Sequence, residues 1–245
     1  MNSILVSYVV NFVLYGDGGG WSTVCASATW LPGSGAAPSC ELTHVDKCVA
    51  TVFFFAQNTS AATDPNIVSW DCKQEVAAVE CLTEYAASTC VSGITKGVLK
   101  LIIEGAAQES VQKCDPGHTR NQEYYKYLPC INKAGVKLNQ CMKEATSYVE
   151  AAGKKPSNLR VPHMCCGFAN LINCLKSAAA ATCDEDHVSY VQSIIEGVAG
   201  DMLDTICAKY KFGSPSCNRL GKLKIAKTHK FNTVVPPMIE ILSSL

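Results

Sequence analysis

The residues of this chain best suited to chemistry are its cysteines, because a cysteine thiol can bind a metal, attack a substrate or form a disulfide. The 245 residues include 15 cysteines, a density that a reducing compartment rarely tolerates without metal sites. Zinc sites would show paired Cys-x-x-Cys spacings, and the sequence contains none. The cysteines therefore predict disulfides, and disulfides indicate an oxidising compartment such as the secretory route.

Most of these cysteines recur along the chain at one fixed separation. Five of them are followed by a second cysteine 93 residues later, and a sixth pair is separated by 90 residues. Five coincidences at one period are hard to obtain by chance, so the spacing predicts an internal repeat of two homologous modules, residues 36–118 and 119–217. The six pairs, in chain order, are Cys40 and Cys130, Cys48 and Cys141, Cys72 and Cys165, Cys81 and Cys174, Cys90 and Cys183, and Cys114 and Cys207.

Parity extends this prediction to the pairing of the cysteines. Six cysteines in each module allow three disulfides per module, although the sequence leaves fifteen connectivities open. Cys166 and Cys217 are additional in the second module and are expected to pair with each other. Cys25 is then left over. We predict disulfides from the remaining fourteen cysteines, none of which joins the two modules.

The segments that must position these cysteines have the apolar spacing of amphipathic helices. Alternation of the β type is scarce, and one stripe follows the rhythm of three and four residues that is typical of a helix. Its members are Val188, Val191, Ile194, Ile195, Val198, Met202 and Ile206. The sequence therefore predicts an all-α fold with two tandem disulfide-stabilised three-helix modules. The expected helices cover residues 42–56, 72–87 and 94–111, and residues 136–149, 165–180 and 188–206.

Polar and helix-breaking residues separate these helices. Residues 63–66 and 153–158 contain proline or glycine and are expected to be breaks. Ser92 is expected to cap the third helix of the first module. Residues 184–186 are all acidic and precede the equivalent helix of the second module. Negative charge at a helix N-terminus is stabilising by about 0.3–1 kcal/mol per group.

The N-terminal residues have part of the pattern of a secretory signal. Residues 4–15 form an apolar run with the length of a signal core, too short to span a bilayer. An Ala-x-Ala pattern stands at residues 26–28, and cleavage there would remove Cys25 and leave an even number of cysteines. A basic segment is missing, because the first basic residue is Lys47, so a truncated start is the alternative. We expect a signal-like leader over residues 1–28.

Composition excludes several functional classes. Hydrophobic residues make up 48% of the chain and charged residues 17%, and the formal net charge is zero. A disordered chain would carry more charge, a general nucleic-acid binder would be basic, and a multi-pass membrane protein would have apolar runs of about 20 residues. The sequon Asn58-Thr59-Ser60 predicts N-glycosylation of Asn58, which fits a secreted protein.

The C-terminal tail, residues 218–245, differs in charge from the rest of the chain. Against the single acidic Glu240, its basic residues are Arg219, Lys222, Lys224, Lys227 and Lys230. The basic stretch precedes the apolar residues 234–239. Contact with a membrane surface or an acidic partner is one interpretation, and a signal for a lipid anchor is another. We favour a third, in which the apolar end packs on the body of the protein.

The sequence contains no motif of established catalytic chemistry. The five histidines are His44, His118, His163, His187 and His229. They form no His-Glu-x-x-His pair, and neither a Gly-x-Ser-x-Gly elbow nor a phosphate-binding glycine loop occurs. The run His163-Met164-Cys165-Cys166 looks like a metal or thiol site, but Cys165 follows the repeat and is assigned to a disulfide. We expect no catalytic residue, no cofactor and no metal.

Glu104 and Glu196 end two matching stretches, each of which reads Ile-Ile-Glu followed by glycine. Paired carboxylates in one site would be candidates for general acid and base catalysis. These two lie in different modules, so duplication explains the recurrence. We assign both to polar positions on amphipathic helices.

Two aromatic groups are candidates for a ligand pocket. Residues 53–55 are all phenylalanine, and Tyr124, Tyr125 and Tyr127 lie close together in the chain. Such groups more often form the core and the rim of helix packing. Three successive phenylalanines cannot all face one core, so we expect one to contact a loop, the other module or a ligand.

One stretch of the cysteine framework has a recognisable pattern. It begins with Tyr127-Leu128-Pro129-Cys130 and continues with Cys141, Cys165, Cys166, Cys174, Cys183 and Cys207. Over residues 40–217 this framework resembles the secreted cysteine-rich helical proteins of arthropods, in particular the 27 kDa haemolymph glycoprotein-like group. The resemblance implies an extracellular location, an all-α disulfide fold and no established catalytic activity. It transfers no site residues.

These observations predict a secreted, extracellular protein without catalytic activity, a carrier of hydrophobic ligands in haemolymph or another body fluid. A carrier needs an apolar cavity of roughly 300–1,000 Å³. The alternative is an extracellular protein-interaction module, such as a venom, salivary or immune effector or a receptor ectodomain. A third hypothesis, an enzyme with an unrecognised site, needs ionisable groups that converge in one pocket. The expected partner is a hydrophobic small molecule or an extracellular protein, without nucleic acid and without a transmembrane segment.

Overall fold

Every regular element in the part of the chain that the structure describes is a helix. The structure is a computed structural model, and it describes residues 40–226 and 228–245. The prediction of an all-α fold is confirmed over these residues. The leader expected over residues 1–28, with its cleavage pattern at residues 26–28 and Cys25, lies outside them.

Turns and loops link successive helices. In chain order the helices are α1 (Leu42–Val49), α2 (Phe54–Gln57), α3 (Pro65–Ala87), α4 (Gly93–Cys114), α5 (Thr119–Gly153), α6 (Ser157–Ala180), α7 (Glu185–Ile206), α8 (Pro215–Asn218) and α9 (Val235–Leu242). Helices α1 to α4 fall in the first cysteine range, residues 36–118. Helices α5 to α8 fall in the second, residues 119–217, and α9 lies in the tail.

Local sequence determines where these helices begin. The expected break at residues 63–66 is instead the start of α3, because the Asp64 carboxylate accepts hydrogen bonds from the backbone N–H groups of Asn66 and Ile67. Proline suits the first helical position because its missing N–H would have no partner there. Asp184 caps α7 in the same way. Ser92 precedes α4, but its side chain makes no capping hydrogen bond.

The first helix of each range differs from the expectation. The helix expected over residues 42–56 is interrupted, since α1 ends at Val49 and a turn precedes the short α2. Its expected counterpart over residues 136–149 is part of the 35-residue α5, which continues through Pro129. Proline lacks the N–H that would bond to the preceding turn, which made this helix hard to extend from sequence.

Seven disulfides join the cysteines of the described residues, which confirms that the chain is disulfide-bonded. Those in the first range are Cys40–Cys90, Cys48–Cys81 and Cys72–Cys114. Those in the second range are Cys130–Cys183, Cys141–Cys174, Cys165–Cys207 and Cys166–Cys217. The disulfide Cys48–Cys81 corresponds to Cys141–Cys174, and each of the two joins cysteines 33 residues apart. Likewise, Cys72–Cys114 corresponds to Cys165–Cys207, and each of these joins cysteines 42 residues apart. None of the seven crosses from one range to the other.

These disulfides tie each middle helix to two neighbours. In the first range, Cys81 ties α3 to α1, and Cys72 ties it to the last residue of α4. In the second range, Cys174 ties α6 to α5, and Cys165 ties it to the residue after α7. The two cysteines of a middle helix are nine residues apart, about 2.5 turns, so they point to different sides.

Two glycines bring α4 and α7 into close contact. A side chain on Gly105 would overlap the carbonyl oxygen of Gly197 and lie 2.7 Å from that of Val198. These glycines end the two recurring Ile-Ile-Glu-Gly stretches. The recurrence therefore places two residues without side chains where the helices of the two ranges cross.

The C-terminal tail packs into the core, as the favoured interpretation predicts. Its buried residues include Phe231, Val234, Val235, Met238, Ile239, Ile241 and Leu242. The carboxylate of Asp46, which is 4% exposed, accepts hydrogen bonds from the backbone and side chains of Asn232 and Thr233 at 2.8–2.9 Å. Glu150 accepts two more from the backbone N–H groups of Lys230 and Phe231. In the described ranges, no helix has the length and apolar character needed to cross a bilayer.

Candidate functional site

A cavity of about 490 Å³ lies among helices of both cysteine ranges and the tail. Its walls come from α3 to α7, from α2 and the turn before it, and from the start of α9. Most of the wall is apolar, and its members include Leu138, Met142, Phe168, Met202 and Met238. The volume falls in the range of roughly 300–1,000 Å³ that is typical of small-molecule sites.

The apolar stripe of α7 forms one wall of this cavity. Five of its seven residues, Val191, Ile194, Ile195, Val198 and Met202, line the space. The spacing that predicts an amphipathic helix thus also positions the site, because the apolar face of α7 covers a cavity as well as packed core.

The phenylalanines at residues 53–55 all line the cavity, and so does Tyr124. The backbone carbonyl of Phe55 accepts a hydrogen bond from Asn139 of α5 at 2.9 Å, so this segment docks on the second range. Tyr127 is not part of the wall and packs against Tyr190, with ring centroids 5.1 Å apart. The structure therefore brings the phenylalanine group and one of the three tyrosines together.

A polar patch interrupts the apolar wall where α3, α4 and α5 meet. The ammonium of Lys113 and the hydroxyl of Ser110 both donate hydrogen bonds to the carboxylate of Glu75. Lys113 also lies over the ring of Tyr124, 5.4 Å from its centroid. The Tyr124 hydroxyl donates to the carbonyl of Ala62 at 2.8 Å. Lys113 is thus paired with a carboxylate and lies over an aromatic face.

Arg120 holds a second part of the polar patch. Its guanidinium donates to Glu109 at 2.7 Å, to Ser193 at 2.7 Å and to Glu123 at 3.2 Å. It also lies 5.5 Å from the ring centroid of Tyr190. Burial alone would lower the pKa of Arg120, but its hydrogen bond to Glu109 and the nearby carboxylates raise it. The guanidinium is therefore charged and paired.

Asp71 differs from the other charged groups of the wall. Among the described residues, no side chain or backbone group forms a hydrogen bond or an ion pair with its carboxylate. Burial raises the pKa of Asp71, the charge of Lys113 opposes this, and Glu75 adds to it. Burial also raises the pKa values of Tyr124 and Tyr190, so both phenols are neutral.

The wall therefore carries three carboxylates against two cations. The acids are Asp71, Glu75 and Glu109, and the cations are Lys113 and Arg120. Each cation is paired with its own carboxylate. The unpaired charge that remains is negative and belongs to Asp71.

The five histidines are dispersed, and none of them lines the cavity. His44 is exposed, and His118 accepts the backbone N–H of Arg120 at the start of α5. His187 lies 2.5 Å from Asp184, and His229 lies 2.5 Å from the carbonyl of Phe231.

His163 is the buried member of this set, at 2% exposure. Its Nδ1 lies 3.4 Å from the hydroxyl of Tyr148. Burial, with a smaller contribution from Lys155, lowers the pKa of His163. The adjoining Cys165 and Cys166 are both in disulfides, so neither offers a thiolate to a metal.

Two further groups of ligand-type residues lie close enough to suggest a metal. His44 stands beside the Cys48–Cys81 disulfide, and His187 stands beside the Cys130–Cys183 disulfide. Sulfur atoms bonded to each other are not the thiolates that bind zinc. These groups do not assemble a metal site while the disulfides are intact.

The remaining sequence candidates lie on the surface. Glu104 pairs with Lys100 at 3.6 Å, and Glu196 accepts from Gln192 at 2.6 Å, so both are exposed polar positions on their helices. Asn58 is exposed at the end of α2 and borders the cavity.

Sequence reasoning missed the polar residues of the wall and the carboxylate that anchors the tail. Asp46 lies next to Val45 and three residues before Val49, so an acid on the apolar face of α1 was an available signal. No comparable signal marks Arg120 and Glu109. They lie on two successive helices, α4 and α5, and the ion pair between them forms only when these helices pack together.

No protein-family model matches the chain, and neither a curated protein nor a solved structure is similar to it.

Proposed function

We propose that this protein is a secreted, non-enzymatic carrier of hydrophobic small molecules. The observation that carries the proposal is the cavity of about 490 Å³, whose wall is mainly apolar and aromatic. Buried apolar surface is the main source of affinity for such ligands. Four of the five charged side chains of the wall are held in two ion pairs rather than forming a nucleophile with a base, which supports a binding pocket.

Extracellular location is part of the proposal. Its support is the disulfide bonding of fourteen cysteines, which is typical of proteins from an oxidising compartment. The exposed position of Asn58 leaves its side chain accessible to a glycan. A glycan on Asn58 would be attached at the exposed edge of the cavity.

We further propose that the cysteine ranges are two copies of one module. Support comes from the 93-residue recurrence of the cysteines. Further support comes from the two pairs of corresponding disulfides that span the same number of residues in both ranges. Neither copy encloses the cavity alone, because α3 and α4 supply one part of its wall and α5 to α7 supply another. Duplication would thus create the binding site as well as the fold.

The test is binding of an uncharged, environment-sensitive dye such as Nile red to the oxidised protein. The wild type is expected to bind the dye at one site with a blue-shifted emission. Ala106→Phe places a ring into the cavity, whereas Ala107→Phe in the same helix changes a residue outside its wall. Loss of binding in the first variant, with binding retained in the second and helical circular dichroism retained in both, is expected. Failure of the wild type to bind, or equal binding by both variants, contradicts a carrier function.

A further inference from the structure

The charges on the cavity wall allow the chemical class of ligand to be narrowed, and this step rests on the proposed carrier function. A fatty acid or another anion would need an unpaired cation. Lys113 is held by Glu75, and Arg120 is held by Glu109, Glu123 and Ser193. An anionic ligand would have to break one of these pairs, which are largely removed from water and costly to separate.

A ligand with a positively charged group would not have to break an ion pair of the wall. Asp71 is partly buried on the wall without a hydrogen bond or ion pair among the described residues, so its carboxylate is available to accept one. The two ion pairs formed within the wall are neutral in sum, so Asp71 leaves the wall with a surplus of one negative charge. A cation beside Asp71 would leave no charged group of the wall without a partner.

An aromatic side chain lines the cavity next to this carboxylate in the chain. Trp70 precedes Asp71 in α3 and lines the cavity while remaining 59% exposed, which places it at the opening. Tyr124 also lines the cavity, but Lys113 already lies over its ring. The face of a Trp ring attracts cations, most strongly where water is excluded. The polar patch therefore combines an unpaired carboxylate with the exposed ring of Trp70.

We propose that the cavity binds an elongated apolar molecule with one cationic amine, whose ammonium group pairs with Asp71 beside Trp70. The apolar part extends along the α7 stripe toward Met142, Phe168 and Met238. The ligand class is thus an aliphatic or aromatic amine rather than a fatty acid.

The test compares three ligands with the same ten-carbon chain, decylamine, decanol and decanoate, in displacement of Nile red below their micellar concentrations. The amine is expected to displace the dye at about tenfold lower concentration than the alcohol, and decanoate is expected to be the weakest. Asp71→Asn is expected to bring the amine and the alcohol within about twofold of each other while decanol binding is retained. Glu80→Gln, an acid of the same helix outside the wall, is expected to keep the preference for the amine.

Equal displacement by amine and alcohol in the wild type overturns the proposal, as does an amine preference that persists in Asp71→Asn. A preference for decanoate also overturns it. In each of these cases the dye is still bound and displaced, so the carrier function stands while the ligand class fails. Absence of dye binding in the wild type removes the carrier function itself.

Discussion

The two cysteine ranges share a pattern of disulfides but use equivalent positions differently. Trp70 is 59% exposed at the opening of the cavity, whereas His163, 93 residues later, is 2% exposed in the core. Asp71 lies on the polar patch, and the equivalent Met164 is fully buried. The same turn of a middle helix therefore faces a cavity in one range and packed side chains in the other.

An additional disulfide accompanies this difference. Cys166 pairs with Cys217 in the second range, and the equivalent position in the first range is the exposed Lys73. The second range thus has an α6 tied at three points, while α3 is tied at two. In both ranges the same pattern of disulfides ties the middle helix to two neighbours, while the residues on the faces of these helices differ. The range with fewer ties supplies the unpaired carboxylate and the exposed aromatic of the cavity.

The largest expected effect comes from removing one equivalent disulfide from each range. Cys72–Cys114 and Cys165–Cys207 both span 42 residues, so the entropy of loop closure predicts the same loss, about 4 kcal/mol, for each pair of alanine substitutions. Cys165 and Cys207 are buried, whereas Cys72 and Cys114 are partly exposed. Removal of the second pair is therefore expected to cost about 1–2 kcal/mol more.

Urea unfolding followed by circular dichroism measures both losses. Double replacement of Cys166 and Cys217 by alanine is a third variant, which tests whether the extra tie of α6 contributes similarly. Equal losses for the two equivalent pairs, or a larger loss for the first range, would show that burial does not distinguish them.

The crossing of α4 and α7 gives a smaller effect. Gly105→Ala is expected to lower the free energy of unfolding by about 1–3 kcal/mol. Its methyl group would overlap the backbone of Gly197 and Val198, which cannot move aside as a flexible side chain can. Gly97→Ala in the same helix has open space around it and is expected to stabilise the protein by up to about 1 kcal/mol.

Gly197→Ala sharpens the comparison of the two glycines. Its methyl group would meet the side chain of Glu109, which is able to move but is paired with Arg120. We expect a loss between those of the other two variants. Thermal unfolding of the three proteins ranks them, and a Gly105→Ala variant as stable as Gly97→Ala is incompatible with the close crossing.

The smallest effect is a pH dependence specific to the second range. Burial lowers the pKa of His163 in the folded state, so its protonation favours unfolding, and stability falls as the pH drops below the ordinary value of about 6.5. The groups that face it are the phenol of Tyr148, whose pKa is raised by burial, and the ammonium of Lys155. Each pKa unit of lowering corresponds to about 1.4 kcal/mol.

His163→Gln is expected to flatten the change in unfolding free energy between pH 7.5 and 5.5, measured by urea titration at each pH. His44→Gln, at an exposed position, serves as the control and is expected to leave that change as in the wild type. A wild-type slope that survives in His163→Gln assigns the dependence to other groups.

Local pattern was sufficient for part of this architecture. The helical class follows from apolar spacing, as α7 illustrates, since its stripe alone marks the face that covers the core and the cavity. Helix ends were harder, because Asp64-Pro65, which was expected to break a helix, instead begins α3, and α2 ends earlier at Gln57. Pro129 made it hard to predict that residues 136–149 continue the preceding turns of α5. Proline inside a helix is destabilising, and packing along the 35-residue helix outweighs this loss of stability.

The cavity was predictable in kind but not in detail. Three successive phenylalanines indicated an unusual surface, and they do line the wall. The charge balance of that wall depends on five side chains that reach it from three helices, namely Asp71, Glu75, Glu109, Lys113 and Arg120. Contacts between residues far apart in sequence leave no periodicity, so their pairing required the tertiary structure.

The most direct test of the proposed carrier function is native mass spectrometry of the oxidised protein, before and after denaturation. The account predicts a native mass that exceeds the denatured mass by that of one small apolar molecule. The denatured mass itself should correspond to a chain in which fourteen cysteines form seven disulfides. A native protein of the same mass as its denatured chain, which also fails to take up Nile red or decylamine when these are added, would contradict the account.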